Sequence, residues 1–389
     1  MEEKMLFKNN KKKKEDGKQI QSLSYKEHNI TRPLWETTFE EDSKEFIDYY
    51  YNNKVTDNSI WVAKEGDLIL SMAQLNPYQI HLGLSIVLAH YIVGVATLEE
   101  YRRKGFMRSI LAACFEQMYK NKEPFTYLMP AKEEYYTAFD FVTVYYQKSG
   151  ILLETSDETE LTFKNASEED FKYLAWFSEE VLSEKYKVFV NREESYYQMI
   201  KAQYEAEHGG IICVYHSDLL VGYFFYGEYE AIEIMEPVCL DTYRDELVHV
   251  IAKKFKGCEK QIRVTAFDFL NEDAFKNITT KPTVMTRIVS LDMFVKYLKA
   301  SEPVKLILQI EDQFIEQNNG IFELYIDDNS TEFERTSAEP EIKLSISEFT
   351  ALCFYEILPK GIEEKANEYV INKLNKVSKF HSIFLNEFV

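Results

Sequence analysis

Residues 95–108 read Val95-Ala96-Thr97-Leu98-Glu99-Glu100-Tyr101-Arg102-Arg103-Lys104-Gly105-Phe106-Met107-Arg108. The apolar, strand-like run before them ends abruptly in Arg-Arg-Lys-Gly. Apolar residues then recur at helical spacing as Met107, Ile110, Leu111, Cys114, Phe115 and Met118. A strand feeding a helix through a basic, glycine-bearing loop makes an anion site. The first amides of the helix have no partner within it, and the helix dipole favours negative charge there. Gly105 permits close backbone approach. The spacing excludes a Walker loop, GxxxxGK[ST], and a Rossmann GxGxxG.

On the N-terminal side, Phe46, Ile47, Tyr50 and Tyr51 recur at helical spacing after Asp42-Ser43. Strand-like runs follow at 59–64, 67–75 and 79–98. Turn signals at Glu65-Gly66 and Asn76-Pro77 separate them, which predicts antiparallel neighbours. On the C-terminal side come a strand at 125–129, a helix at 133–139 and a strand at 143–147. A second part has a helix start at Ser167 and strands at 211–216, 219–226 and 231–240. A helix at 244–255 and a strand at 261–270 complete it. The strand–strand–strand–helix–strand order therefore occurs twice. The third part, from about 287, has strands at 304–310, 321–326 and 342–346, then two helices, the first capped by Ser347.

The 389 residues suffice for two or three domains at about 150 residues each. With 46% hydrophobic and 28% charged residues, the composition excludes collagen, low-complexity disorder and a disulfide-stapled mini-protein. The formal charge of −20 opposes a nucleic-acid partner and suits cationic substrates, although solubility alone also accounts for it. The five cysteines lack a CxxC pair and read as buried, reduced thiols of a cytoplasmic protein. The seven histidines show no metal spacing, so no metal is expected. The apolar run 84–98 is shorter than the ~20 residues of a membrane span, so no membrane partner is expected. Residues 1–23, with Lys11 to Lys14, read as a basic flexible tail without the apolar core of a signal peptide.

Arg102-x-x-Gly105-x-Met107 after a strand resembles the coenzyme A motif of the GNAT N-acetyltransferases, R/Q-x-x-G-x-G/A, with Met in the last small position. Together with Tyr127-Leu128-Met129-Pro130-Ala131 and Tyr136-Thr137-Ala138-Phe139-Asp140-Phe141, the chain from about residue 24 onward resembles the enhanced intracellular survival family. The resemblance implies an α/β (α+β) architecture. It comprises a catalytic GNAT domain at 24–152, a degenerate GNAT-like mixed-sheet domain at 153–286 and a sterol-carrier-protein-like α+β domain at 287–389. In the second copy Asp245, Glu246 and Leu247 stand where the first has Arg103, Lys104 and Gly105. One acetyl-CoA site per chain is expected.

The resemblance further implies site residues. Acetyl-CoA would contact Val95, Ala96 and Thr97 at the strand end. Its pyrophosphate would lie on Arg103, Lys104, Gly105, Phe106, Met107 and Arg108, and a further contact would come from Ala131 and Lys132. Tyr136 maps onto the general acid, with Tyr135 as a one-residue alternative, and Asp140 replaces a glycine. The general base would be the C-terminal carboxylate, here on Val389. Glu41 and Glu387 are candidate acidic contacts, and the ordinary reading of both is a solvated surface acid. The implied activity is acetyl transfer to a primary amine of an aminoglycoside-like or polyamine-like molecule or a lysine side chain. A homo-oligomer, trimer or hexamer, is implied as well. The competing reading is a hydrophobe carrier with a vestigial acetyltransferase domain.

Overall fold

The computed structural model describes residues 14–15, 18–327 and 329–387. Residues 1–13 of the expected tail lie outside them. Residues 18–22 of that tail are not free chain: they form a strand that pairs with Trp61–Lys64.

Strands β1 (Lys14–Glu15), β2 (Lys18–Ser22), β3 (Ser59–Glu65), β4 (Leu68–Leu82), β5 (Ser85–Thr97) and β6 (Phe125–Leu128) lie side by side in that order. Neighbours are antiparallel except β5 and β6, which are parallel and therefore need the crossover helix between them. The turn expected at Asn76-Pro77 does not exist. β4 runs straight through it and reverses at Gly83-Leu84, where Gly83 has φ +64°. Pro77 is tolerated because β3 pairs with β4 only as far as Leu75, and β9 (Val188–Val190) joins that side only at Ile80. Between those points a missing N–H removes no ladder bond on that side.

Helices α1 (Arg32–Thr38), α2 (Lys44–Asn53), α3 (Phe106–Lys120) and the short α4 (Glu134–Thr137) belong to this first unit. In α3 the buried stripe is Phe106, Ile110, Leu111, Cys114, Phe115 and Met118. Met107, expected in the stripe, is only half-buried.

The repeat is real, but its boundaries are not clean cuts. The second unit contains β8 (Thr162–Asn165), α5 (Phe171–Lys185), α6 (Glu194–Ala206), β10 (Gly210–His216), β11 (Leu219–Glu228), β12 (Ile232–Cys239), α7 (Arg244–Lys254) and β13 (Ile262–Thr265). Two strands cross between the units. β14 (Phe275–Ile288) follows β13 in sequence yet pairs with β6 of the first unit, Met285 opposite Leu128. β7 (Val142–Leu152) follows α4 yet pairs with β13 of the second, Gly150 opposite Val264. β7 and β14 also pair with each other, so both units share one sheet. A boundary at 152/153 separates β7 from the strands that it completes.

The third unit is a four-stranded sheet, β17 (Thr331–Arg335), β16 (Gly320–Ile326), β15 (Val304–Glu311) and β18 (Ile342–Ser345) in that order. The helix Ile346–Phe354 is capped by Ser345 rather than Ser347: Ser345 accepts from the Glu348 amide, and Glu348 reaches back to the Ser345 amide. The loop after β15 ties this unit to α3. Asp312 pairs at 2.5 Å with Arg287 at the end of β14, both side chains fully buried. Asp312 also accepts the Phe314 and Ile315 amides. This holds the Phe314 ring against Phe115 and Phe139, centroids 5.5 Å away in each case. The chain returns at the end as β19 (Ile383–Phe384), which pairs with β9.

Candidate active site

The loop at 102–108 forms as its residue types require. After a 3-10 turn at Glu99–Tyr101, Arg103 takes φ +60° and Gly105 φ +81°, and α3 starts at Phe106. The left-handed conformation costs Arg103 roughly 1 kcal/mol or more, whereas Gly105 takes it freely. Among the described residues, a Cβ on Gly105 would meet nothing within 4 Å, which leaves room above the loop for a ligand. Arg102 to Gly105 are exposed. Arg102 Nε donates to the Thr97 carbonyl at 3.2 Å, and Lys104 Nζ lies 4.7 Å from the Tyr101 ring centroid. Arg108 is turned to the third unit: its guanidinium is 4.5 Å from the Phe314 ring and donates to Gln313 at 3.2 Å.

Beside this loop the two central strands part. β5 and β6 pair only at Tyr91–Tyr127 and Ile92–Leu128. β5 carries a bulge against β4 at Gly94-Val95, where Gly94 has φ +58°. Trp35 fills the place of a side chain there, 2.5 Å from a Cβ position on Gly94. Val95 and Thr97 are half-buried and Ala96 is buried. The Ala96 carbonyl accepts from Ser71 Oγ at 2.8 Å.

A group of tyrosines lies at the divergence. Tyr91 and Tyr127 stack with centroids 5.2 Å apart and planes 10° apart. Among the described residues, the buried Tyr127 hydroxyl has no hydrogen-bond partner. Tyr136, on α4, is buried and stands edge-on to Phe141. Burial above all, with Tyr136 adding to it, raises the Tyr91 phenol. Burial pushes the Tyr136 phenol up to about 12, so it is protonated at neutral pH. Tyr135 points outward and is 53% exposed, with Lys132 Nζ 6.0 Å from its ring. Ala131 and Lys132 are exposed. Glu41 lies exposed in the turn before α2.

Val389 lies outside the described residues. The segment leading to it, Ile383 to Glu387, is buried. Glu387, read from sequence as a surface acid, is 2% exposed. Its carboxylate takes hydrogen bonds from Arg192 at 3.1 Å and Tyr196 at 3.2 Å. Burial raises the Tyr78, Tyr91 and Tyr127 phenols, and the Glu387 charge adds to this. The apolar character of residues 383–385 was the sequence signal for this burial. Nothing in the local sequence marks Arg192 as its partner.

Lys54 is a second residue that the sequence did not reveal. It is 4% exposed, with Nζ 4.3 Å from the Tyr78 ring and 3.1 Å from Met199 Sδ. Burial lowers its pKa to about 8, while Asp57 and Glu387 pull it upward. The folded state thus releases this proton earlier than the unfolded chain does, so Lys54 adds stability as pH rises from about 8 to 10.5. Lys54→Met removes that rise. Its stability advantage over the natural chain should shrink by about 2 kcal/mol between about pH 7.5 and 9.5. Guanidinium titrations at the two pH values measure this, and a constant difference would show that the amine is not held in a poor medium.

The second unit repeats the scaffold without the anion site. A 3-10 turn at Asp241–Tyr243 matches Glu99–Tyr101, but α7 starts at once on Arg244, whose Nε bonds Asp241 at 3.1 Å. Asp245 and Glu246 occupy its first turn.

Residues 19–144 match the acetyltransferase (GNAT) domain family, and residues 293–360 the sterol carrier protein domain family. No curated protein matches the sequence. Among solved structures, a probable N-acyltransferase from Enterococcus faecalis V583 superposes with a TM-score of 0.80 at 17% identity, over 96% of this chain and 99% of that one. A GCN5-related N-acetyltransferase from Anabaena variabilis ATCC 29413 gives 0.78 at 14%, over 94% and 99%. Eis1 from Mycobacterium abscessus gives 0.68 at 13%, over 95% and 100%. At such identities the likeness is one of fold, and it extends over all three units. The domain matches point to the chemistry: residues 19–144 form an acetyltransferase (GNAT) domain and residues 293–360 a sterol carrier protein domain, in a chain with the fold of Eis1.

Proposed function

We propose that this chain moves an acetyl group from acetyl-CoA to a primary amine, using the first unit alone. The observation that supports this is the exposed Arg102–Gly105 loop with open space above Gly105, set beside the parting of β5 and β6. Arg103, Lys104 and the amides of Phe106 to Arg108 would hold the pyrophosphate, with Val95 to Thr97, Ala131 and Lys132 along the rest of the molecule. Arg108 would have to leave Gln313 and Phe314 to take part. Tyr136 keeps a proton at its Oη for the departing thiolate. The carboxylate of Val389 accepts the proton that the ammonium must lose before it attacks. A free terminal carboxyl has a pKa of ~3.5, so this role needs burial beside the tyrosines to strengthen the base.

The acceptor is a cationic small-molecule amine or a lysine side chain, in keeping with the −20 charge of the chain. Calorimetry should find one acetyl-CoA per chain. Arg103→Glu, which reverses charge beside the pyrophosphate, should weaken binding at least about tenfold. Two sites per chain would overturn the single-site reading. Release of free thiol across a panel of amines identifies the acceptor class. A chain that binds acetyl-CoA but turns over no amine would favour the carrier alternative.

A further inference from the structure

The bulge of β5 recurs in the second unit. In the first, Met72 pairs with Ala96 and the next pair is Gln74 with Val93, leaving Gly94-Val95 bulged. In the second, Tyr223 pairs with Val238 and the next pair is Phe225 with Met235, leaving Glu236-Pro237 bulged. Both bulges open on a left-handed residue, φ +58° at Gly94 and +48° at Glu236. β12 likewise pairs with β13 only from Ile232 to Met235, so the second unit has the same parting of strands. In the first unit that gap borders the tyrosine group. In the second, the bulge position carries a carboxylate, a residue poorly suited to φ > 0, and it is 2% exposed. A strained, buried acid at that point needs a partner.

Its partner is Arg192, just after β9. Arg192 NH1 lies 2.6 Å from Glu236 and NH2 lies 3.1 Å from Glu387. All three side chains are buried, to 2% exposure or less. The Tyr223 hydroxyl accepts from Arg192 NH1 at 3.0 Å. The guanidinium also lies over the Tyr196 and Phe384 rings, at 5.0 and 5.5 Å. Phe384 stands 4.9 Å from the Tyr186 ring and edge-on to Phe269, which follows β13. From the other side, Gln147 on β7 donates to Asn386 at 2.7 Å. Residues 384–387 thus lie against the gap of the second unit, held at one carboxylate, while β19 pairs with β9 and β9 in turn with β4 of the first, Ile80 opposite Val190.

We infer that the second GNAT-like unit has exchanged acyl-carrier binding for a docking role: its parted strands, through Glu236 and Arg192, seat the C-terminal segment and aim it into the active site of the first unit. Arg192 is then a positioning residue for acetyl transfer, although it touches neither substrate nor the reacting atoms. Burying a carboxylate pair around one guanidinium is tolerable only with both ends engaged, so releasing one end releases the segment. The inference rests on the acetyltransferase reading of the first unit.

The test is Arg192→Met in the full chain. It is followed by hydrogen exchange of the 383–387 peptide, acetyl-CoA calorimetry and steady-state kinetics with a reactive amine. Exchange of that peptide should speed up at least about tenfold while the α3 peptide is unchanged. The turnover number kcat should fall about 10²-fold, with acetyl-CoA affinity held within about twofold. Arg192→Lys should restore part of both. A merely structural arginine would move affinity, α3 exchange and kcat together. Glu387→Gln serves if the methionine variant does not fold. It keeps the shape and an acceptor oxygen but cancels the charge, and should give the same split at about a tenth of the size. A segment that stays protected, or one that is released with native kcat, overturns the inference. Absence of turnover in the unaltered chain would instead sink the acetyltransferase reading, and the exchange measurement would still decide the docking.

Discussion

Tyr136→Phe is expected to lower kcat by about 10²–10⁴ and to leave acetyl-CoA affinity and thermal stability near those of the unaltered chain. The ring is what packs: it stands edge-on to Phe141 with centroids 6.0 Å apart, and that contact survives the substitution. Only the proton-bearing oxygen is lost. Tyr135→Phe is the matched control, since that ring is 53% exposed and faces Lys132. It should stay within about twofold of native turnover. Burial raises the Tyr136 pKa from 10.0 to about 12, so the neutral phenol is fully present below about pH 10 and is lost only as pH climbs through 12. An alkaline fall in rate near about pH 8 would therefore belong to another group, of which Lys54 is a candidate at about 8. The Lys54→Met profile separates the two. Full activity in both phenylalanine variants would remove the tyrosine acid from the mechanism.

The parts of this site that were legible in the sequence are those built from neighbours in the chain. The strand, basic loop and helix at 95–108 announce themselves through composition and period, because a helix start and a left-handed glycine are local events. The two-fold repeat is visible for the same reason, and so is the loss of cations at 245–246. What stayed hidden depends on pairings between distant residues. The crossing of β7 and β14 cannot be read locally, since each strand has the same alternation whichever sheet receives it. Asn76-Pro77 carries a strong local turn signal, and only the absence of a partner strand on that side makes the proline harmless. Glu387 and Lys54 look like solvated charges in sequence. Their burial follows from Arg192, 195 residues away from Glu387, and from Met199, 145 away from Lys54. Buried charge is uncommon enough that the solvated reading is the sound default, and function is where that default fails.

A short extension after Val389, such as a few glycines and serines, is expected to reduce kcat by about 10²–10⁴, the usual size of a lost general base. An amide carbonyl in place of the α-carboxylate has no useful affinity for a proton, and the added residues crowd a segment whose last described part is already buried. Val389→Ala keeps the carboxylate and should be mild. Removing residues 388–389 places the new carboxylate on Glu387, whose side chain is tied to Arg192 and Tyr196, and should be nearly as damaging as the extension. Acetyl-CoA affinity should persist in all three, because Arg103, Lys104 and Gly105 form the anion site from a local loop. The extension differs in kind from Arg192→Met: it leaves 383–387 seated and protected from exchange while abolishing the base, so loss of rate without faster exchange is its signature. Native turnover in the extended chain would take the terminus out of the chemistry. The base would then be sought among internal acids, first Glu387, which is buried and bonded to Arg192 and Tyr196, and then Glu41.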